Sequence, residues 1–518
     1  MRYSLLFVSL LLAACAVGPD FKAPAAPKAD SYAQKAGRAG PVLNSGADIP
    51  AQWWRLYRSD ELDRLIRSGL KESPSLAAAR ASLRAAQEDY TSQGGPILYP
   101  TVNGSLKSER RKVTGVSFGQ GGGFIYNLHT ASVDVSYAFD PFGSGRRYLE
   151  SLRAQVDYQG YQMEAAYLTL TANIVTTAIS EASLHSQIKA AREIVQGERD
   201  RLKIVERQAQ LGVVTDADVF SQRTTLAQSR TSVPSLEKQL ARTQHQLSLL
   251  VGRFPGQPGP AGHAMPTFEL SALHLPEQIP LSLPSELVHQ RPDIRAAEAQ
   301  LHQASALVGL ATANLYPSLT ISASFGRQAV KFGDLLTGPA SGLWSIGGNI
   351  LQPLFHGGEL TARRRQALAS FDAARAQYQQ TVLQAFRDVA DVLTALHSDA
   401  QALELQGQAE SLSSETLELV QRQFDLGAAG FLSLLTAQQQ FRQSHIAVVQ
   451  ARATLLADTA ALFQAMGGGW QREGAYRSVA GDANFSNAWT PVNQSEMKHK
   501  PETKHQSVTN NQSETNHE

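Results

Sequence analysis

The chain has 518 residues, a formal net charge of +1 and 18% charged residues, enough length for two or three ordinary domains but less charge than the usual quarter of a soluble protein. So small a net charge sets up no field to draw nucleic acid, and a single cysteine excludes a disulfide within the chain. Beyond Leu12 no unbroken apolar run approaches the ~18 residues of a membrane helix, so a mature chain that crosses lipid must use β-strands closed into a barrel.

The sequence opens MRYSLLFVSLLLAACAVGPDFKAP. Arg2 supplies a positive charge and residues 5–14 are almost wholly apolar, the pattern of a secretory signal. "LAAC" resembles the lipobox of bacterial lipoproteins. It predicts a signal peptide over 1–14 and acyl chains on Cys15, each buried CH₂ adding about 0.8 kcal/mol of membrane affinity. Ala16 stands where an aspartate would mark retention at the inner membrane, so the expected address is the outer membrane.

The chain then repeats itself. "SPSLAAARASLRAAQ" from Ser73 is echoed by "RPDIRAAEAQLHQAS" from Arg291, and "RLKIVERQAQLGVVTDADVF" from Arg201 by "TLELVQRQFDLGAAGFLSLL" from Thr416. Pro74 and Pro292 lie 218 apart, Tyr99 and Tyr316 217, Gly212 and Gly427 215. One domain duplicated accounts for this. The expected division is an N-terminal part over 15–72, a first copy over 73–252, a linker over 253–283, a second copy over 284–466 and a polar tail over 467–518.

Each copy opens with a short helix, 75–93 or 293–313, followed by two strands. In "SLTISASFG", Leu319, Ile321, Ala323 and Phe325 alternate with Ser318, Thr320, Ser322 and Ser324. Trp344, Ile346 and Ile350 alternate with Ser345 and Asn349, and Val102 and Leu106 with Thr101, Asn103, Ser105 and Lys107. After the loop "FGQGGG", Phe124, Tyr126 and Leu128 share one phase but Val133, Val135, Tyr137 and Phe139 the other, which predicts a bulge near Thr130. "FGSGRR" and "LFHGGEL" mark the strand-to-helix junctions.

Residues 142–233 and 354–490 contain no proline, which suggests long helices. Val382, Phe386, Val389, Leu393 and Leu396, and likewise Met163, Tyr167, Leu170 and Ile174, follow the 4,3 spacing of a coiled-coil seam. One helix from Ser144 to Leu211 would be about 100 Å long. Gly212 turns the chain, and a second helix returns from Asp216, bent at Pro234.

Strands with one apolar and one polar face suit a barrel with lipid outside and water inside. Four strands per chain cannot enclose a lumen, and open edges are not tolerated in lipid. Several chains must therefore pool their strands. Three give twelve strands and a sheath of twelve helices, while the pattern alone leaves two or four chains open, or a soluble sheet on a coiled-coil protein.

The residues now resemble a known family: the outer-membrane factors of bacterial tripartite efflux pumps, the TolC-like proteins, and more closely their lipoprotein branch (OprM- and NodT-like). The similarity runs from Cys15 to about Met466 and is carried by "CAVGPDFKAP", "WWRLYRSDELDRLI", "YAFDPFGSGRR", "VPSLEKQLARTQHQLSLLVG" and "LPSELVHQRPDIRAAEAQLHQASALVGLATANLYPSL". The resemblance implies an α+β membrane protein: a homotrimer whose twelve-stranded transmembrane barrel continues into a long periplasmic helical barrel with an equatorial band. It implies a passive duct with no catalytic role and no cofactor beyond the lipid on Cys15. Its partners would be outer-membrane lipid, a periplasmic adaptor (membrane fusion) protein and an inner-membrane transporter of the proton-driven RND type.

It also implies that the turns "QLGVVTDADVF" and "DLGAAGFLSLL" meet the adaptor, with Leu211, Gly212, Asp216, Leu426 and Gly427 as contacts. Each glycine also reads simply as a C-cap. Asp218 is an aperture candidate, with Arg207 and Arg422 five residues before each glycine as its pairing partners, although helix-terminal charge explains Asp218 equally. Where TolC carries paired aspartates this chain has Ser433 and Thr436, so an apolar gate of Phe431 and Leu434 is the alternative.

Other motifs are weak. No histidine pair has the spacing of a zinc protease, and "FGSGRR" lacks the ending of a phosphate loop. Trp53 and Trp54 fit equatorial packing better than the membrane interface, and Trp344 and Trp470 are interface candidates. The tail, rich in Ser, Asn, Gln and His, is expected to stay unfolded. Besides efflux of small toxic compounds, the readings still open are a type I protein-secretion duct and a trimeric structural surface lipoprotein.

Overall fold

The computed structural model describes residues 16–27, 42–47, 49–114, 122–256, 265–276, 278–281, 284–337 and 341–469. Cys15, the loop 115–121, the joint 257–264, Trp470 and the rest of the tail lie outside them.

In chain order the elements are β1 (Val42–Ser45), α1 (Asp60–Glu72), α2 (Pro74–Leu98), β2 (Thr101–Thr114), β3 (Gly123–Phe139), α3 (Ser144–Gln210) and α4 (Asp216–Leu250), then β4 (Gln278–Leu281), α5 (Pro284–Gln290), α6 (Pro292–Ala313), β5 (Ser318–Ala329), β6 (Ser341–Leu351), α7 (Glu359–Asp425) and α8 (Phe431–Ala465). Helix, strand pair, long helix and return helix thus occur twice. Both long helices have 67 residues and both return helices 35. At 1.5 Å per residue, 67 residues reach about 100 Å.

One helix differs from expectation. α2 does not stop at residue 93 but runs through Pro96 to Leu98, where Tyr99 N–H donates to Gly95 O at 2.9 Å. A proline so near a helix end removes only one donor from a ladder that is already closing. α4 runs from Asp216 to Leu250 with Pro234 inside it.

β1 pairs in parallel with β4, and the other four strands form one antiparallel sheet in the order β2-β3-β5-β6, leaving β2 and β6 as open edges. Its register is uninterrupted: Thr101 faces Ser136, Thr114 faces Gly123, Phe139 faces Leu319 and Phe325 faces Trp344. The bulge expected near Thr130 is therefore absent, since Lys107 faces Thr130 in step with every other pair. The phase change along β3 is real. Val133, Val135, Tyr137 and Phe139 lie on the apolar face, while Phe124, Tyr126 and Leu128 lie on the face that carries Ser132 and Asp134 lower down. The strand outgrows its apolar band, and above it nothing requires that side to stay apolar.

The core gathers segments far apart in sequence. Trp53, Trp54, Tyr57, Leu62 and Ile66 pack with Ile174 and Ile179 of α3, Phe268 and Leu273 of the linker, and Leu456, Leu462 and Phe463 of α8. Trp53 stacks on Phe463 at 5.3 Å and Tyr57 Oη donates to Leu456 O at 2.9 Å. Trp53 and Trp54 are both buried, so this pair packs the core and does not anchor at a membrane surface. The seams read from sequence are also inside, with Val382, Val389, Leu396, Leu170 and Ile174 buried. By length and mean hydropathy (1.4) α8 could cross a bilayer, but its apolar side chains fill this core.

Candidate functional site

The helix tips are built by backbone chemistry. After α3, Leu211 is the C-cap, Gly212 has φ +73°, Gly212 N–H donates to Ala209 O and Val213 N–H to Gln208 O, both at 2.9 Å. After α7, Gly427 has φ +74° and donates to Phe424 O at 2.9 Å, while Ala428 donates to Gln423 O at 2.8 Å. Both are Schellman endings, which need a residue tolerant of left-handed backbone. The turn pushes apolar side chains into solvent: Leu211 is 65% exposed and Leu426 84%.

Asp216 opens α4 and is exposed. Asp218 closes a capping box: its carboxylate accepts from Thr215 N at 2.9 Å and Thr215 Oγ1 at 2.8 Å, and its own N–H donates back to Thr215 Oγ1. The Thr215 bonds hold its carboxyl below the usual carboxylate range. Arg207 turns to Gln210 Oε1 at 3.1 Å, and Arg422 is exposed. Within one chain the structure does not bring either arginine to Asp216 or Asp218. Phe431 starts α8, half-buried and tilted against Phe424 at 6.1 Å. Leu434 needs correction: it is fully buried. One turn into α8 it faces the packing between helices, so it cannot line an aperture; Leu432 is the exposed leucine there, at 75%.

Sequence reading missed the polar contacts above the tips. Glu198 of α3 is buried, pairs with Arg442 of α8 and accepts from Gln222 Nε2 of α4. Arg201 of α3 donates to Gln421 Oε1 of α7 at 2.8 Å. These groups tie the first helical hairpin to the second. The signal was an asymmetry between the copies: at the same offset as the tip glycines, Glu198 and Gln222 correspond to Ser413 and Ala437.

At the opposite end, the stretch after Cys15 is strapped to the strand-to-helix junction. Val17 N–H donates to Phe142 O at 3.0 Å, Arg147 Nη2 donates to Asp20 Oδ1 at 2.8 Å, and Arg147 Nη1 to Glu150 Oε2 at 2.7 Å. His302 Nε2 meets Glu150 Oε1 at 2.9 Å and its ring stacks on Phe21 at 4.4 Å. A Cβ on Gly18 would stand 2.5 Å from Gly309 Cα, so only glycine allows this approach. Asp140 caps α3 by accepting from Ser144 N at 2.7 Å and Arg146 N at 3.0 Å, which explains "FDPFGSGRR" as a junction.

The sheet carries an exposed apolar face. Val102 and Leu106 of β2, Val133 of β3, Ile321 and Phe325 of β5, and Trp344, Ile346 and Ile350 of β6 share it, with Trp344 76% exposed. The opposite face is polar: Ser105 and Ser132 share a 2.8 Å hydrogen bond, and Asp134 accepts from Ser132 at 2.9 Å and Ser324 at 2.6 Å. Among the described residues no group of three or more His, Cys, Asp or Glu is placed to hold a metal ion.

Exposed apolar strands joined to helical hairpins about 100 Å long suit a protein whose sheet lies in a membrane. The outer membrane efflux protein family matches residues 65–253 and 283–468, and the chain belongs to that family. It is 32% identical over 486 residues to the pyoverdine export outer membrane protein OpmQ of Pseudomonas aeruginosa, covering 91% of this chain and 97% of OpmQ. It is 28% identical over 476 residues to the antibiotic efflux pump outer membrane protein ArpC of Pseudomonas putida, covering 91% of this chain and 96% of ArpC. The fold superposes on the outer-membrane channel OprN with a TM-score of 0.81 at 26% identity, covering 88% of this chain and all of OprN. It superposes on the Campylobacter jejuni CmeC outer membrane channel at 0.80 and 22% identity, covering 88% of this chain and 95% of CmeC. The chain is thus the outer-membrane component of an efflux pump.

Proposed function

We propose that three copies of this chain close a passive duct that exports small toxic compounds. The observation that carries this is the four-stranded sheet with two open edges and one exposed apolar face. Four strands cannot ring a lumen, and an unpaired edge in hydrocarbon leaves backbone groups unsatisfied at several kcal/mol each. Pairing β6 of one copy with β2 of the next removes every edge and makes a twelve-stranded barrel, continued by twelve long helices into the periplasm. Relatives named for pyoverdine export and antibiotic efflux support small compounds as the cargo.

In this reading residues 1–14 are removed, Cys15 carries acyl chains, and the strap from Val17 to Phe21 holds that anchor beside the barrel. The repeated element order supports the division into copies over 73–252 and 284–466 joined by the linker 253–283. Leu211, Gly212, Asp216, Leu426 and Gly427 meet a periplasmic adaptor, which couples the duct to an RND-type inner-membrane transporter. Asp218, Phe431, Arg207 and Arg422 ring the aperture, the arginines pairing across copies. The test is native mass spectrometry of the lipid-embedded protein with single-channel recording in planar bilayers. A conducting trimer is expected; a monomer, or an assembly without conductance, overturns the proposal.

A further inference from the structure

The uninterrupted register lets each row of the sheet's apolar face be followed outward from the strand-to-helix junctions. Phe139, Leu319 and Ile350 share the first row, and Val133, Phe325 and Trp344 the fourth. The next row holds Leu106, Ala131 and Arg327. From the first row to this one is eight residues along β3, roughly 27 Å of strand at 3.4 Å each, and with the usual barrel tilt of about 35–45° this rises about 20 Å, most of a band about 25 Å tall. Arg327 therefore stands just inside the outer edge of the band, where its long side chain reaches the headgroups. Beyond it on the same face come Ser108 opposite His129, Arg110 opposite Asn127 and Lys112 opposite Ile125.

The charge on the two faces is not balanced alike. On the polar face Glu109 pairs with both Lys107 and Arg111, so each cation there has an acidic partner. On the apolar-face side no row of the described strands holds an acid, and among the described residues neither Arg110 nor Lys112, both exposed, has an acidic partner. Past the end of the sheet remote from the helices the described acid is Asp334, in the turn Phe332–Leu335 after β5. Arg327 Nη1 donates to Leu336 O at 3.4 Å, whereas Arg110 and Lys112 stand exposed above the apolar band with no acid in their rows; such a pair of cations fits an anion at that height, and guanidinium and ammonium groups suit phosphate.

We propose that Arg110 and Lys112, with Arg327 at the edge of the band, bind the phosphates of the phosphorylated glycolipid of the outer leaflet. The acyl chains of the same lipid would lie along Phe325, Trp344 and Ile346. The inference rests on the barrel reading above, which turns this face to lipid. It also accounts for the phase change in β3 at the end of the band.

The test uses the full-length protein, delipidated in detergent, offered diphosphoryl lipid A and weighed by native mass spectrometry. R110Q/K112Q should lower lipid A retention roughly 10- to 30-fold, as two surface cations contribute about 1 kcal/mol each. R110K/K112R should retain it, and the native chain should hold phosphate-free lipid A no better than R110Q/K112Q does. Equal retention by the native chain and R110Q/K112Q overturns the proposal, as does equal binding of phosphate-free lipid A. Phosphatidylglycerol held as tightly as lipid A overturns the assignment to the outer-leaflet glycolipid. Conductance is recorded on the same preparations: a conducting native chain that fails these comparisons overturns this site alone, whereas a non-conducting native chain overturns the barrel.

Discussion

Arg147 Nη2 lies 2.8 Å from Asp20 Oδ1, joining the first turn of α3 to the segment that follows Cys15. The guanidinium is nearly buried while the carboxylate is exposed. The strap thus depends on the arginine more than on the aspartate, because Arg147 also holds Glu150 and through it His302.

Arg147→Ala should release residues 16–21 and cost about 1.5–3 kcal/mol, the range for hydrogen bonds to charged groups. Trypsin cleavage after Lys22, timed on the detergent-solubilised protein, should speed up. Asp20→Asn should have a much smaller effect. An unchanged cleavage rate in Arg147→Ala would show that the strap holds without this residue.

The Glu198–Arg442 pair predicts a non-additive effect. Arg442→Ala leaves a buried carboxylate without its cation, a loss of about 3 kcal/mol or more, whereas the double variant Glu198→Ala/Arg442→Ala should cost less than Arg442→Ala alone. Denaturation midpoints check the stability. Single-channel conductance should rise in both variants if this pair restrains the hairpins near the aperture.

At the tips, folding and docking should separate. Gly212→Ala meets no neighbouring atom but holds an L residue at φ +73°, at a cost of about 1 kcal/mol. Leu211→Ser and Leu426→Ser remove exposed side chains and should leave thermal stability unchanged while weakening adaptor binding, measured by titration with the purified adaptor. Asp218→Ala opens the capping box at about 1 kcal/mol. Higher conductance in that variant would add an aperture role to the structural one, and unchanged conductance would leave only the cap.

Asp458 of α8 offers a pH test. Burial, and then the neighbouring Asp399 carboxyl, raise its pKa from 3.8 to about 7. Between those values the folded chain keeps a proton that the unfolded chain releases, so this group lowers stability as pH rises and its full penalty is present above about 7. Asp458→Asn should therefore melt higher than the native chain at pH 8, with the difference shrinking by pH 5. A constant difference across that range would mean that Asp458 does not titrate there.

Local chemistry made much of this protein legible in advance. The 4,3 spacing of Val382 to Leu396, the glycines of the two turns and the alternation around Ile321 each depend on neighbours a few residues away, and each appears in the structure as a seam, a Schellman ending and a strand. The apolar and polar strand faces were read the same way. Tertiary structure decided what depends on distant partners. The continuous pairing of β2 with β3 removed the bulge, the packing of α8 took Leu434 out of the aperture, and Glu198–Arg442 and Asp20–Arg147 join residues that no local period connects. A strand or helix repeats over a few residues and so leaves its trace in the order of side chains; a buried ion pair is set only when two remote elements meet.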